Sequence, residues 1–339
     1  MNQQICLLDL FSGIGGFALG LKMAGFKLTH HLYSEVDPHA DAVYRYHYPE
    51  ATALGSVMEV KSNINATPDI ITFGSPCQDF SYEGSRKGIE GKRSKLLRCA
   101  IELVDALRPG VFVWENVKGA FSSNEGRDFQ AILQAFTNLG GYRLEWQLCN
   151  TRWVLPQNRE RIYLIGHLDG KSRPCVFPFQ QSDQISDTAG NKERKNRQWK
   201  QGESVISTIT RSYAKMPNAG ETYLYVNSGL VQGYEVAYEG NIIDLSFPTS
   251  NSRKGRVQTE VAKTIQTGGH QGVLAPAGLR RLTEIECERF QGFPDDWTKW
   301  GMYENELMQV PRYQRYQLVG NAVTVDIVKA VGQRLIRSK

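Results

Sequence analysis

Short apolar runs alternate with amphipathic stretches through the first half of the chain. Ile5-Cys6-Leu7-Leu8-Asp9-Leu10 reads as a buried strand, followed by a glycine turn. A helix is predicted from about Gly16 to Ala24, stopped at Gly25. Thr29 to Ser34 reads as a second strand ending at Glu35. Asp37-Pro38 then opens a helix, with aspartate as N-cap and proline at the first helical position. Ile70 to Phe73 and Val111 to Trp114 are further apolar strands. Between them Leu96, Leu97, Ala100, Leu103, Val104 and Leu107 share one helical face, ended by Pro109. Phe129, Ile132, Leu133, Phe136 and Leu139 line another helix, stopped at Gly140-Gly141. Arg143 to Cys149 and Ile162 to His167 complete the strands. This alternation predicts a largely parallel sheet with helices on both faces.

The pattern breaks near Gly170. From there to about Leu279 the chain is rich in Gly, Ser, Thr, Asn and Gln, with short β-prone pieces and two basic runs, residues 191–197 and 253–256. This stretch reads as a smaller, irregular β-rich unit. Regular structure returns at Leu282, where Thr283 and Glu286 have capping-box spacing and Gly292-Phe293-Pro294 closes the helix. Val323, Ile327, Val328, Val331 and Leu335 line a last helix, whose apolar face predicts packing back onto the first unit. The expected division is a catalytic domain over 1–170 completed by 318–339, and a small domain over 171–317 that includes the 280–297 stretch.

At 339 residues, with 41% hydrophobic and 22% charged positions, the composition is that of a soluble globular protein. No apolar run reaches membrane-spanning length, and the first residues lack the basic start of a signal peptide. A cytoplasmic protein without membrane association is the expectation. Six cysteines include no Cys-x-x-Cys pair, so no metal is expected. The net charge of +5 is compatible with nucleic acid without requiring it.

Candidate chemistry gathers at the strand ends, where open α/β sheets bind ligands. Gly13-Ile14-Gly15-Gly16-Phe17-Ala18 has Gly-x-Gly-x-x-Ala spacing between a strand and a helix. Such glycines let the backbone turn tightly and approach a nucleotide at the helix amino terminus. Glu35 stands where an acid can bind ribose hydroxyls. The turn does not separate a nicotinamide dinucleotide from S-adenosylmethionine, so an oxidoreductase stays open at this point. Cys77 lies in Gly74-Ser75-Pro76-Cys77-Gln78, after the Ile70 strand, and an inert structural cysteine is the plain alternative. Glu115-Asn116-Val117 follows the Trp114 strand. Gln157-Asn158-Arg159-Glu160-Arg161 puts two arginines on one face of an extended segment, unless they form a surface ion-pair set. A thiol, a carboxylate and paired guanidiniums at one sheet edge suit attack on an electron-poor ring.

Taken in order, residues 9–16, 74–78, 115–117, 157–161, 280–295 and 320–323 resemble the motifs of the cytosine-5 DNA methyltransferases. The resemblance spans both ends of the chain and leaves out the middle. It implies a Rossmann-like α/β domain that uses S-adenosylmethionine, with a smaller, β-rich target-recognition domain. It implies covalent attack of Cys77 on carbon 6 of a flipped cytosine, with Glu115 holding the ring and Arg159 and Arg161 orienting base and carboxylate. The cofactor would meet Phe11, Ser12, Gly13, Gly15, Gly16, Glu35, Val36, Val57, Pro76, Asn321 and Val323. DNA would meet Pro76, Gln78, Ser81, Arg86, Lys87 and Asn116, several of them on a glycine-rich basic loop suited to closing over phosphates. Double-stranded DNA is the implied partner of a monomer, alongside an independently acting restriction endonuclease. A transfer-RNA methyltransferase of the same fold and a non-catalytic DNA-binding member are the rivals. Two departures bear on adenine: Val36 is smaller than the family's usual residue, and Ser56 replaces an aspartate.

Overall fold

The predicted strands pair into one large sheet because their apolar side chains alternate between two buried faces. The computed structural model describes residues 3–75, 94–170, 174–179, 223–231, 234–247, 252–275 and 278–336. The first half contains β1 (Gln3–Leu10), α1 (Gly16–Ala24), β2 (Phe26–Ser34), α2 (Pro38–His47), β3 (Thr52–Ala53), α3 (Val60–Asn63), β4 (Ile70–Gly74) and α4 (Ser94–Leu107). It continues with β5 (Val111–Val117), α5 (Gly119–Ser122), α6 (Arg127–Thr137), β6 (Tyr142–Asn150), β7 (Gln157–Asn158) and β8 (Glu160–Leu168).

The seven-stranded sheet has the order β3-β2-β1-β4-β5-β8-β6. Its first five strands are parallel. Strand β8 runs antiparallel to both neighbours, β5 and β6. The largely parallel sheet of the expectation therefore carries one reversed strand. The link from β6 to β8 holds only a short 3-10 turn and β7, with no crossover helix to bring the chain back in parallel. Strand order switches between β1 and β4, and open α/β sheets bind ligands outside the carboxyl ends of strands at such a switch point.

The alternation assigns side chains to faces. Ile5 and Leu7 of β1 join Phe17, Val43 and Val113 in one core cluster. Leu8 and Leu10 join Leu97, Val104, Phe112, Trp114 and Phe136 in the other. Local signals act as read: Asp37 accepts from the backbone N–H groups of His39 and Ala40, and Gly25 ends α1 with φ 106°.

The rest of the chain contains β9 (Tyr223–Asn227), β10 (Tyr234–Tyr238), β11 (Ile242–Asp244), β12 (Val257–Gln258), β13 (Ala262–Lys263), β14 (Gln271–Ala275) and β15 (Gly278–Arg281). It ends with α7 (Glu284–Phe290), β16 (Trp300–Tyr303), β17 (Glu306–Gln309), α8 (Arg312–Asn321) and α9 (Val325–Ile336). Strands β12-β11-β14-β15 form an antiparallel sheet, and β9 pairs with β10. Val226, Ala237, Ile243 and Leu274 make a small core of their own. The basic run at 191–197 lies outside the described residues.

One attachment differs from the expected division and one follows it. Leu282, Cys287, Phe293, Trp297 and Val310 are buried in the same cluster as Ile14 and Phe17, so this stretch packs onto the large sheet's helical layer. Its apolar side chains find there the burial that the four-residue small core does not offer. Helix α9 packs on α1 as its apolar face predicts. The helices approach so closely that a Cβ at Gly20 would lie 2.6 Å from Val328.

Candidate active site

Parallel strands place the sequence motifs along one edge. The turn after β1 has positive φ at Phe11, Gly13 and Gly15. Three side chains hold it, together with backbone bonds such as the Ser12 N–H to the Ser34 carbonyl at 3.1 Å. Glu35 Oε2 accepts from the Gly13 N–H at 2.8 Å. Tyr48 donates to the Gly15 carbonyl at 3.3 Å. Trp297 donates its indole N–H to the Ile14 carbonyl at 2.9 Å. Gly15 has no room for a side chain, since a Cβ would stand 2.5 Å from the Tyr48 ring. Gly16 serves packing instead, its Cβ position being 2.7 Å from Val323.

Several features of this turn fit a nucleotide-like ligand. Ser12 Oγ is buried without a hydrogen-bond partner. Space beside Gly13 is open. Val36 follows Glu35 with 74% of its surface exposed, an apolar side chain left without cover. Glu35 Oε1 accepts from the N–H groups of Val36 and Asp37. The carboxylate thus braces the loop and keeps acceptor capacity for a hydroxyl. Val57 is buried, and the Ser56 N–H binds Glu59. Asn321 is exposed at the end of α8, while Val323 is buried.

Beneath the turn lies a polar network that the motifs did not announce. Asp9 is fully buried and accepts from Thr72 Oγ1 at 2.7 Å and from Tyr44 at 3.3 Å. Tyr44 also meets His31 Nε2 at 2.7 Å. Burial raises the Asp9 carboxyl to about 8, against the pull of Thr72 and Tyr44. Burial likewise lowers His31 to about 4.

The second half of the site centres on Glu115. It lies inside β5, which extends past Trp114 to Val117. Glu115 is opposite Gly74 on β4, and a Cβ at Gly74 would be 3.4 Å from Glu115 Oε2. Arg161, the second residue of β8, brings Nε to 3.2 Å from Glu115 Oε1. Burial raises the Glu115 carboxyl above the usual range, while Arg161 and then Arg159 oppose the rise. Glu115 is therefore a buried acid that holds its proton more readily than a surface carboxyl.

Arg159 plays a different part from its neighbour. Its guanidinium donates to the carbonyls of Gly320 at 3.2 Å and Ala322 at 2.7 Å. It thereby ties the segment before α9 to the Glu115 cluster. Thr151 Oγ1 reaches Thr324 Oγ1 at 2.7 Å and reinforces the same junction. Strand β7 pairs with β13, so the small unit docks directly beside these arginines.

Asn116 points the other way. Its amide donates to Ser75 Oγ at 3.2 Å, on the opposite side of β5 from Glu115. Pro76, Cys77, Gln78, Ser81, Arg86 and Lys87 lie outside the described residues; Ser75 is the last described position before them. Among the described residues no group of three His, Cys, Asp or Glu side chains is arranged for a metal ion. Trp297, Tyr48, Thr324 and Ser75 all contribute to the edge without having been singled out from the sequence. Only Ser75 carried a usable signal, its place within the 74–78 motif and on a strand's continuing alternation.

This sheet edge brings a braced glycine turn together with a buried acid–guanidinium pair. Residues 5–337 match the C-5 cytosine-specific DNA methylases, and the chain belongs to that family. It is a DNA cytosine-5 methyltransferase. Among its relatives, Type II methyltransferase M.DsaV of Dactylococcopsis salina is 26% identical, over 99% of this chain and 87% of its own length. Type II methyltransferase M.HpaII of Haemophilus parainfluenzae is 28% identical over 99% of this chain and 90% of its own. The Dnmt2 methyltransferase of S. pombe superposes with a TM-score of 0.59 at 17% identity, covering 98% of each chain.

Proposed function

We propose that the protein methylates carbon 5 of a cytosine flipped out of duplex DNA, through a covalent adduct at Cys77. The observation that carries this reading is the buried Glu115 carboxyl, set over Gly74, three residues before Cys77 in sequence, and flanked by Arg161. The Cys77 thiolate forms a bond to carbon 6, and ring electrons move toward the ring nitrogen beside the amino group. Glu115 meets that nitrogen and the amino group, stabilising the charge that develops there. Bound S-adenosylmethionine would supply the methyl group to carbon 5, an enamine-like nucleophile, its sulfur–methyl bond breaking to leave S-adenosylhomocysteine. Loss of the carbon-5 proton then lets the carbon 6–sulfur bond break and returns Cys77 to its starting state. Extrusion of the base is required because its ring atoms are stacked inside a duplex.

The glycine turn from Phe11 to Gly16 and the Glu35–Val36 strand end are the cofactor's binding surface in this reading, with Val57, Pro76, Asn321 and Val323 around it. Pro76, Gln78, Ser81, Arg86, Lys87 and Asn116 serve the DNA side: Asn116 acts from behind β5, through Ser75. The unit between 171 and 279 reads the DNA sequence, while 282–310 belongs with the catalytic core on which it packs. The Type II names of the relatives support a restriction-modification setting with a cognate endonuclease. A monomer acting in the cytoplasm accords with that setting. No helix among the described residues is long and apolar enough to cross a membrane.

The test is methyl transfer from labelled S-adenosylmethionine to duplex DNA, with the product base identified by mass spectrometry. The expected product is 5-methylcytosine at a short defined sequence, absent in Cys77→Ser. Methylation of transfer RNA but not duplex DNA, or full turnover by Cys77→Ser, overturns the reading.

A further inference from the structure

Strand β5 performs two tasks with its two faces. Glu115 projects to one side. Trp114 and Asn116, its neighbours in sequence, project to the other, where both are fully buried. There the Trp114 indole N–H donates to Ser75 Oγ at 3.1 Å, and the Asn116 amide donates to the same oxygen at 3.2 Å. Ser75 is itself only 4% exposed. Register explains the convergence: Phe73 and Gly74 of β4 lie opposite Trp114 and Glu115, so Ser75, just after β4, falls beside the Trp114–Asn116 face.

We propose that Ser75 is a positioning residue for methyl transfer: its hydroxyl, gripped by Trp114 and Asn116, locks the end of β4 to β5 beneath Glu115. The inference rests on the reading of Cys77, two residues further on, as nucleophile. Two donors on one small hydroxyl define its orientation more tightly than one. The donors themselves are immobilised. Trp114 packs on Phe136 at 5.8 Å between ring centroids, and Asn116 Oδ1 accepts from the Val117 N–H at 2.8 Å. The strand that carries the acid therefore also holds Ser75, two residues before the nucleophile in sequence. The spacing between Glu115 and Ser75 is set by one rigid element, and a shift of about 1 Å between reacting groups can cost on the order of 100-fold in rate.

Ser75→Ala removes the shared acceptor and leaves two buried donors without it. Ser75→Thr keeps the oxygen. The readout is the single-turnover rate of covalent adduct formation with duplex DNA whose target cytosine is replaced by 5-fluorocytosine, in the presence of S-adenosylmethionine. Cofactor and DNA affinities and thermal stability are measured alongside. Ser75→Ala is expected to slow adduct formation by about 10- to 100-fold with both affinities nearly unchanged, and Ser75→Thr to recover most of the rate. A purely structural role would lower the melting temperature and leave the adduct rate alone. A wild-type adduct rate in Ser75→Ala overturns the proposal, as does equal slowing in the alanine and threonine variants. Should Ser75→Ala fail to fold, Trp114→Phe removes a donor from the other end of the clamp. A wild-type rate there overturns the proposal, and a slowed one supports it. Cys77→Ser run in parallel separates the two failures. An active Cys77→Ser refutes the nucleophile; an inactive one beside a fully active Ser75→Ala refutes the clamp alone.

Discussion

Trp297 and Ile14 are joined by a 2.9 Å hydrogen bond across 283 residues of sequence. The indole N–H reaches the carbonyl at the centre of the glycine turn. Its ring stacks on His47 at 3.5 Å between centroids and 3° between planes. His47 Nε2 in turn donates to the Trp297 carbonyl at 2.6 Å. The stretch after α7 thus braces the glycine turn, whose shape depends on residues from both ends of the chain.

Trp297→Phe keeps most of the packing and removes the N–H. The expected cost is about 1 kcal/mol of stability from the lost hydrogen bond, with some added loss of contact area. Cofactor affinity should fall by a few-fold, because the turn loses one of its three side-chain braces. Calorimetric titration with S-adenosylmethionine checks this. Unchanged affinity would mean that Glu35 and Tyr48 suffice to hold the turn.

Asp9 makes stability depend on pH. Its carboxyl, about 8 in the folded protein against 3.8 ordinarily, keeps its proton where the unfolded chain has released it. Its contribution is full below about pH 4, is lost progressively as pH rises to about 8, and is flat above that. Asp9→Asn cannot titrate. Urea denaturation at pH 5 and pH 8.5 should show wild type losing more stability than the variant over this interval, by a few kcal/mol on an order-of-magnitude scale. Parallel pH dependence in the two proteins would show that Asp9 ionises normally.

Tyr163 offers a test of burial without satisfaction. It faces the Glu115 side of β8, directly opposite Glu115, and its hydroxyl is buried with no hydrogen-bond partner. A buried hydroxyl left unpaired costs about 1–3 kcal/mol. Tyr163→Phe removes only that oxygen, so stability is expected to be unchanged or raised by up to about 1 kcal/mol. A marked drop in the denaturation midpoint would reveal a bridging water that holds the hydroxyl.

What the sequence made legible was local. The Asp37 cap, the Thr283–Glu286 box and the glycine turn each depend on residues a few positions apart, and each takes the form that spacing predicts. The large sheet followed from apolar runs, yet β8's reversal did not, because direction depends on the connection rather than on the strand. Glu115 was read as following its strand. Once β5 is seen to continue to Val117, alternation alone puts Asn116 behind Glu115. The Trp297–Ile14 bond and the Asp9 network had no local signal at all, since their partners meet only after the sheet and α2 assemble. Attachment of 282–310 to the main core was similarly invisible, because apolar spacing shows that a face is buried without showing against what.

Arg161 and Glu115 set the final expectation. Arg161 holds the Glu115 carboxyl down against the larger effect of burial. Removing the guanidinium in Arg161→Ala should move the carboxyl further up. If the protonated acid assists attack on the ring, the adduct rate falls as pH rises through the Glu115 value. That falling limb should then shift to higher pH in Arg161→Ala, while the maximum rate drops because the base and acid lose their orientation. Glu115→Gln should abolish the limb and slow adduct formation by about 100- to 1,000-fold, the scale of losing a donor aimed at developing charge. Both profiles are measured as single-turnover rates on 5-fluorocytosine duplexes, whose carbon-5 fluorine cannot leave as a proton and so traps the adduct. A limb that persists in Glu115→Gln would assign the titration to another group. A limb that moves to lower pH in Arg161→Ala would show that the guanidinium does not act on Glu115 as their 3.2 Å contact implies.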